Sequence, residues 1–140
     1  MTTHSGGCHC GNLRLTLRLS QSPEATKTRA CGCSFCRANQ TKTTSDPNGS
    51  VDIWAKDWSQ VERYRFGTAT ADFLICKRCG IYIGAAAETE SGWCSVTNLN
   101  SLDDRALFVN APTPTVHDGE TVESRIARRA ANWTPTVFHT

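Results

Sequence analysis

Seven of the eight cysteines in this chain fall into three tight groups: Cys8-x-Cys10, Cys31-x-Cys33-x-x-Cys36 and Cys76-Lys77-Arg78-Cys79-Gly80. Thiols two or three residues apart make poor disulfide partners for one another but good chelating arms for a soft cation. Cys76-x-x-Cys79-Gly80 reads as a zinc knuckle, in which a short loop turns both sulfurs toward one centre and glycine permits the tight backbone that follows. A knuckle supplies two of the four ligands of a closed tetrahedral site. Cys8 and Cys10 are the natural complement, because Gly6, Gly7 and Gly11 let the backbone bend until both sulfurs converge. Such a site would tie the N-terminal segment to the middle of the chain. His9 lies between the paired cysteines and should diverge from their metal, and His4 is expected in a frayed terminus.

The Cys31, Cys33, Cys36 group has a different character. Three thiolates within six residues leave one tetrahedral position open, the pattern of a reactive zinc that takes water or substrate. Such a metal could hold a substrate sulfur as thiolate and polarise an adjacent oxygen. Two other readings stand beside it: Cys94 completes a second four-cysteine structural site, or the three thiols are redox-active or vacant. His117, in the loop-like Val116-His117-Asp118-Gly119, is a candidate proton carrier or simply exposed. Trp54, Trp58, Tyr64 and Phe66 either wall a pocket or fill a core.

The elements that must position these groups are mostly strands. Leu13, Leu15, Leu17 and Leu19 alternate with Arg14, Thr16 and Arg18, which predicts a half-buried strand over 12–19. Further strands are expected over 26–30, 41–44, 50–55, 61–66, 71–75, 81–86 and 93–97, with a turn at Asp46-Pro47-Asn48-Gly49. Residues 34–40 are read as one helical turn. Only the tail is helical at length: Val122, Ile126, Ala130 and Trp133 recur at helical spacing between 121 and 133, with Asp118 or Thr121 as cap and Pro135 as the stop. The expected architecture is one mainly β domain over residues 1–140, with 120–140 a tail that caps the domain or packs in a dimer.

Composition narrows the function classes. The apolar share is a modest 39%, and metal crosslinks would compensate for a small core. The start of the chain has no apolar signal-like stretch, and no run approaches a membrane span. Eight cysteines in a reducing compartment favour metal over disulfides, so the cytoplasm is the expected location. Zinc on four thiolates carries two net negative charges and zinc on three carries one, so two loaded sites would more than cancel the formal charge of +2. That argues against a nucleic-acid partner, which calls for a concentrated basic footprint. Arg125-Ile126-Ala127-Arg128-Arg129 is read as a solvated face.

The segments Gly6-Gly7-Cys8-His9-Cys10-Gly11, Cys31-Gly32-Cys33-Ser34-Phe35-Cys36-Arg37 and Phe73-Leu74-Ile75-Cys76-Lys77-Arg78-Cys79-Gly80 together resemble the glutathione-dependent formaldehyde-activating enzyme family, which includes centromere-protein-V-like proteins. The resemblance spans about residues 5–120. It implies an Mss4-like fold, a bent and largely antiparallel β architecture, here with a short C-terminal helix. It also implies two zinc ions per chain, one structural on Cys8, Cys10, Cys76 and Cys79, and one catalytic on Cys31, Cys33 and Cys36. The implied activity is that of a carbon–sulfur lyase acting on S-hydroxymethylglutathione or a related hemithioacetal. Arg37 is then a candidate for contacts beside the metal or to a substrate carboxylate. A small thiol such as glutathione is the expected partner, and a homodimer is compatible. The competing expectation is a zinc-stabilised binding or scaffold module without turnover.

Overall fold

The computed structural model describes residues 1–117 and 119–140. Asp118, one of the two expected helix caps, lies outside the described residues. The chain runs β1 (Thr2–Gly7), β2 (Leu13–Leu19), β3 (Arg29–Cys31), α1 (Ser34–Asn39), β4 (Thr43–Thr44) and β5 (Ser50–Ala55). It continues through β6 (Val61–Tyr64), β7 (Asp72–Cys76), β8 (Tyr82–Thr89) and β9 (Gly92–Asn98). It ends with β10 (Thr113–Thr115), α2 (Val122–Asn132) and β11 (Thr134–His139).

The strands form one mixed sheet. Its main path is β1-β2-β5-β11-β9-β4-β3-β10, and β6-β7-β8 joins as an antiparallel meander on the other edge of β9. Most pairs are antiparallel, as expected, but β11 runs parallel to β5 and β10 parallel to β3. β11 joins the two halves of the sheet. Thr134 and Pro135 pair with β9, and Thr136 to His139 then pair with β5. Pro135, which cannot donate to a ladder, sits where the strand changes partner. It therefore follows the helix as the second residue of a strand.

The alternating leucines of β2 are all buried, and Leu13 and Leu17 are completely so. They pack with Val51, Ile53, Leu74, Ile83, Leu99 and Leu102 into the main core. Leu17→Ala is expected to cost about 2–5 kcal/mol of stability, whereas Val137→Ala, on the exposed side of β11, should stay within about 0.5 kcal/mol. Urea denaturation of the two variants checks the contrast. A smaller apolar cluster of Ala71, Ala85, Ala87, Cys94 and Trp133 lies on the other side. Between the two clusters, Tyr82 to Ala87 of β8 are buried without interruption.

Two expectations are overturned. The N-terminus is not frayed: residues 2–7 pair with β2 along the whole strand, and buried His4 places Nδ1 2.6 Å from Asp104 Oδ2. Gly6 is required there, because a Cβ would stand 2.3 Å from the Ser101 carbonyl oxygen.

The second correction concerns α2. Thr121 caps it, its side chain accepting from the Ser124 N–H, but of its apolar pattern only Trp133, at the C-cap, turns inward. Val122 and Ile126 are 46% and 38% exposed, while Arg129 is only 6% exposed and Arg125 and Arg128 are half-buried. Three arginines at positions i, i+3 and i+4 share one helix face, and that face is turned inward.

Candidate functional site

The two cysteine pairs occupy two hairpin turns. Cys8 and Cys10 lie between β1 and β2, where the Gly11 N–H donates to the Cys8 carbonyl, so the pair sits on a turn and converges. Cys76 ends β7, and Gly80, at φ +80°, closes the loop with its N–H on the Cys76 carbonyl at 2.8 Å. The four sulfurs lie within 4.8 Å of one another. Cys8 Sγ stands 3.7 Å from Cys10 Sγ, and Cys10 Sγ 3.6 Å from Cys76 Sγ. A zinc tetrahedron with bonds of about 2.3 Å has edges near 3.8 Å, so the donor set fits that ion.

Backbone N–H groups also support thiolates here. Leu13 N–H donates to Cys8 Sγ at 3.2 Å. Burial disfavours the Cys79 thiolate, but the N–H groups of Cys10 and Ile81, together with the Cys76 and Cys8 thiols, outweigh it and lower its pKa. At Cys76 burial prevails and raises it.

The second group forms where β3 passes into α1. Cys31 ends the strand, Cys33 caps the helix by accepting from the Cys36 N–H at 3.4 Å, and Cys36 is the buried residue of its first turn. The three sulfurs lie within 4.8 Å of one another. The neighbouring Cys36 thiol holds the Cys31 pKa down against the opposing effect of burial, and the same proximity, together with burial, pushes Cys36 up. No fourth histidine, cysteine or carboxylate joins the group among the described residues. Cys94 is elsewhere, buried in β9 with its thiol directed at the Ala87 and Arg129 carbonyls.

Aromatic packing fixes the helix that carries Cys33 and Cys36. Phe35 packs against Phe73, Tyr82 and Phe66, with ring centroids 4.8, 5.0 and 5.6 Å away. On the other side, β10 pairs with β3 so that Thr115 stands opposite Cys31 and its carbonyl accepts from the Gly32 N–H. That pairing brings His117 to the same region.

A cavity of about 160 Å³ opens over the three-cysteine group. Cys31, Cys33 and Cys36 line it, together with apolar Phe66, Phe73 and Trp133. Tyr82 is fully buried in the wall; burial and the three nearby sulfurs raise its pKa well above the usual phenol range, so it keeps its proton. His117 also lines the cavity, and burial followed by the charge of Arg128 lowers its pKa, which favours neutral imidazole.

The expected site residues meet different fates. Both cysteine groups assemble as anticipated. Of the four aromatics considered, Phe66 reaches the cavity, whereas exposed Tyr64 stacks on Phe66 outside it, Trp54 stacks on His139 and Trp58 packs beside the main core. Arg37 is exposed on α1 and does not line the cavity. The guanidiniums there are Arg29, Arg125, Arg128 and Arg129, so the run read as a solvated face supplies a cavity wall. Its i, i+3, i+4 spacing was the available signal, but spacing alone cannot say which face of a helix turns inward.

Among the described residues, no helix is long and apolar enough to cross a membrane. No protein-family model matches the chain. The chain is similar in structure to a Rhodobacter sphaeroides protein solved by crystallography, with a TM-score of 0.61 and 26% sequence identity over 79% of this chain and 99% of that one.

Proposed function

We propose that this protein is a zinc-dependent carbon–sulfur lyase that cleaves or forms hemithioacetals, the adducts of a thiol and an aldehyde. The observation that carries the reading is the asymmetry between the cysteine groups. Four sulfurs form a closed set at two hairpin turns, while three face a cavity with no fourth ligand among the described residues. The same reading assigns the chain to the glutathione-dependent formaldehyde-activating and centromere-protein-V-like family, its sheet to the Mss4-like architecture, and its place of action to the reducing cytoplasm.

Cys8, Cys10, Cys76 and Cys79 would hold one zinc as a crosslink, and Cys31, Cys33 and Cys36 would hold the other. Zinc at the three-cysteine group supplies a Lewis acid that favours a substrate sulfur in its thiolate form near neutral pH. In the cleavage direction the carbon–sulfur bond breaks and its electron pair stays on sulfur. The adduct hydroxyl loses its proton as the carbonyl forms, and a proton returns to sulfur when the thiol leaves. Neutral His117 accepts a proton in this cavity, and the Tyr82 hydroxyl donates a hydrogen bond to the adduct oxygen as its charge develops. Phe66 and Phe73 keep water from the adduct.

The test is turnover of hemithioacetals made from formaldehyde and simple thiols, followed by trapping of the released aldehyde. Tyr82→Phe is expected to lower kcat about 100-fold at unchanged zinc content, within the range of a positioned proton-transfer group. Unchanged kcat removes Tyr82 from the mechanism, and absence of turnover in zinc-loaded wild-type protein overturns the lyase reading.

A further inference from the structure

The cavity has a property that carbon–sulfur cleavage does not require: it is strongly cationic. Four arginines line it, and among the described residues no aspartate or glutamate does. Two of the four are already matched. Arg128 donates twice to Glu120, at 2.8 and 3.0 Å, and Arg125 Nε lies 3.7 Å from the same carboxylate. The other two hold only neutral partners. Arg29 donates to the Ser45 hydroxyl at 2.6 Å, and Arg129 to the Thr70 hydroxyl at 2.7 Å.

Arg129 is the more telling of the pair. It is 94% buried, its guanidinium stands 4.8 Å from the centre of the Trp133 ring, and its Nε is buried without a partner. Burial first, and then the like charges of Arg125 and Arg128, push its pKa down to about 10, so it stays charged at neutral pH. A buried cation without a counter-charge destabilises a fold. The helix could avoid that cost by burying Val122 and Ile126, yet it leaves both exposed and turns Arg129 inward.

We propose that Arg129 and Arg29 form an oxyanion subsite, which holds the carboxylate or sulfonate of a small thiol while its sulfur reaches the Cys31, Cys33, Cys36 centre. The position of the sulfur rests on the lyase reading above; the anion subsite does not. Planar guanidinium donors suit such oxyanions. Phe66 and Phe73 add apolar wall to the same cavity. The interior of the cavity is small, about 160 Å³ against the roughly 300–1,000 Å³ of sites for drug-sized ligands. A compact mercapto acid fits that space better than a tripeptide thiol.

Titration calorimetry of the zinc-loaded full chain tests this with 3-mercaptopropionate, 2-mercaptoethanesulfonate, 2-mercaptoethanol and glutathione. At least one small anionic thiol is expected to bind about tenfold or more tighter than neutral 2-mercaptoethanol, the worth of one charge-assisted hydrogen bond. The tighter of the two identifies the oxyanion. In Arg129→Met the preference should fall to near one, with the melting temperature equal to or above that of wild type, because methionine fills the space without a buried charge. Should that variant misfold, Arg29→Gln, at a half-exposed position, carries the test and should reduce the preference at least about threefold.

Equal binding of the three small thiols to wild type overturns the proposal, as does a preference unchanged in both variants. Glutathione binding tighter than either small acid overturns the size preference. Anion preference without hemithioacetal turnover leaves the subsite standing and removes the lyase reading; turnover without anion preference does the reverse.

Discussion

Cys76→Ser is expected to leave the chain largely unfolded at 37 °C, with one zinc fewer per chain. Cys76 is 0% exposed and stands in the closed four-sulfur group that joins the β1–β2 and β7–β8 turns. Serine there would remove one sulfur from the proposed zinc site and bury a hydroxyl. Structural zinc contributes about 10–16 kcal/mol to small folds, while whole-domain stability is about 5–15 kcal/mol. Loss of even half of the metal's contribution would therefore rival the entire stability of the chain. Circular-dichroism melting with elemental analysis reads both quantities. A variant that melts within a few degrees of wild type would remove the structural role of this centre.

Cys36→Ser should behave in the opposite way. Hemithioacetal turnover is expected to fall about 10³-fold or more, the equivalent of several kcal/mol of transition-state stabilisation, while melting changes little. The segment around Cys36 is fixed by other means: the Phe35 aromatic cluster holds α1, and β3 is paired on both sides, by β10 and β4. Zinc should again fall by one per chain, this time from the three-sulfur group. The informative comparison is between the two variants. Equal collapse of both ends the division between a structural and a reactive centre, and full activity in Cys36→Ser locates the chemistry elsewhere.

Local features of the fold are legible in the chain. The partition of seven cysteines into a four-sulfur and a three-sulfur set was legible because ligand spacing is a short-range property, and the structure brings together the same sets. The alternating leucines of β2 and the strand at Ser50–Ala55 were legible for the same reason. By contrast, β1, β10 and β11 carry little apolar alternation. Their sequences, TTHSGG, TPT and TPTVFH, become strands because neighbouring strands accept them, β1 and β10 at the two ends of the sheet path and β11 between β5 and β9. β11 is the clearest case, since it begins with Thr-Pro and gains its ladder only from β9 and β5, which are remote in the chain.

By itself, then, the sequence determined which thiols group together, the mainly β character of the chain, and the place of its C-terminal helix. Each of these follows from residue types within a few positions of one another, or from a ligand count that only a few partners can complete. Tertiary structure alone decided which cysteine group faces a cavity and which residues wall it. Arg29, Phe66, Tyr82, His117 and Arg129 come from five separated segments, and only strand pairing and the packing of α2 on β8 and β9 make them neighbours. It also decided the orientation of α2. The helical pattern offered an apolar face and a basic face, and β8, β9 and the cavity beside them accepted the basic one. A helix's periodicity defines its faces, but which face turns inward depends on the surface that receives it.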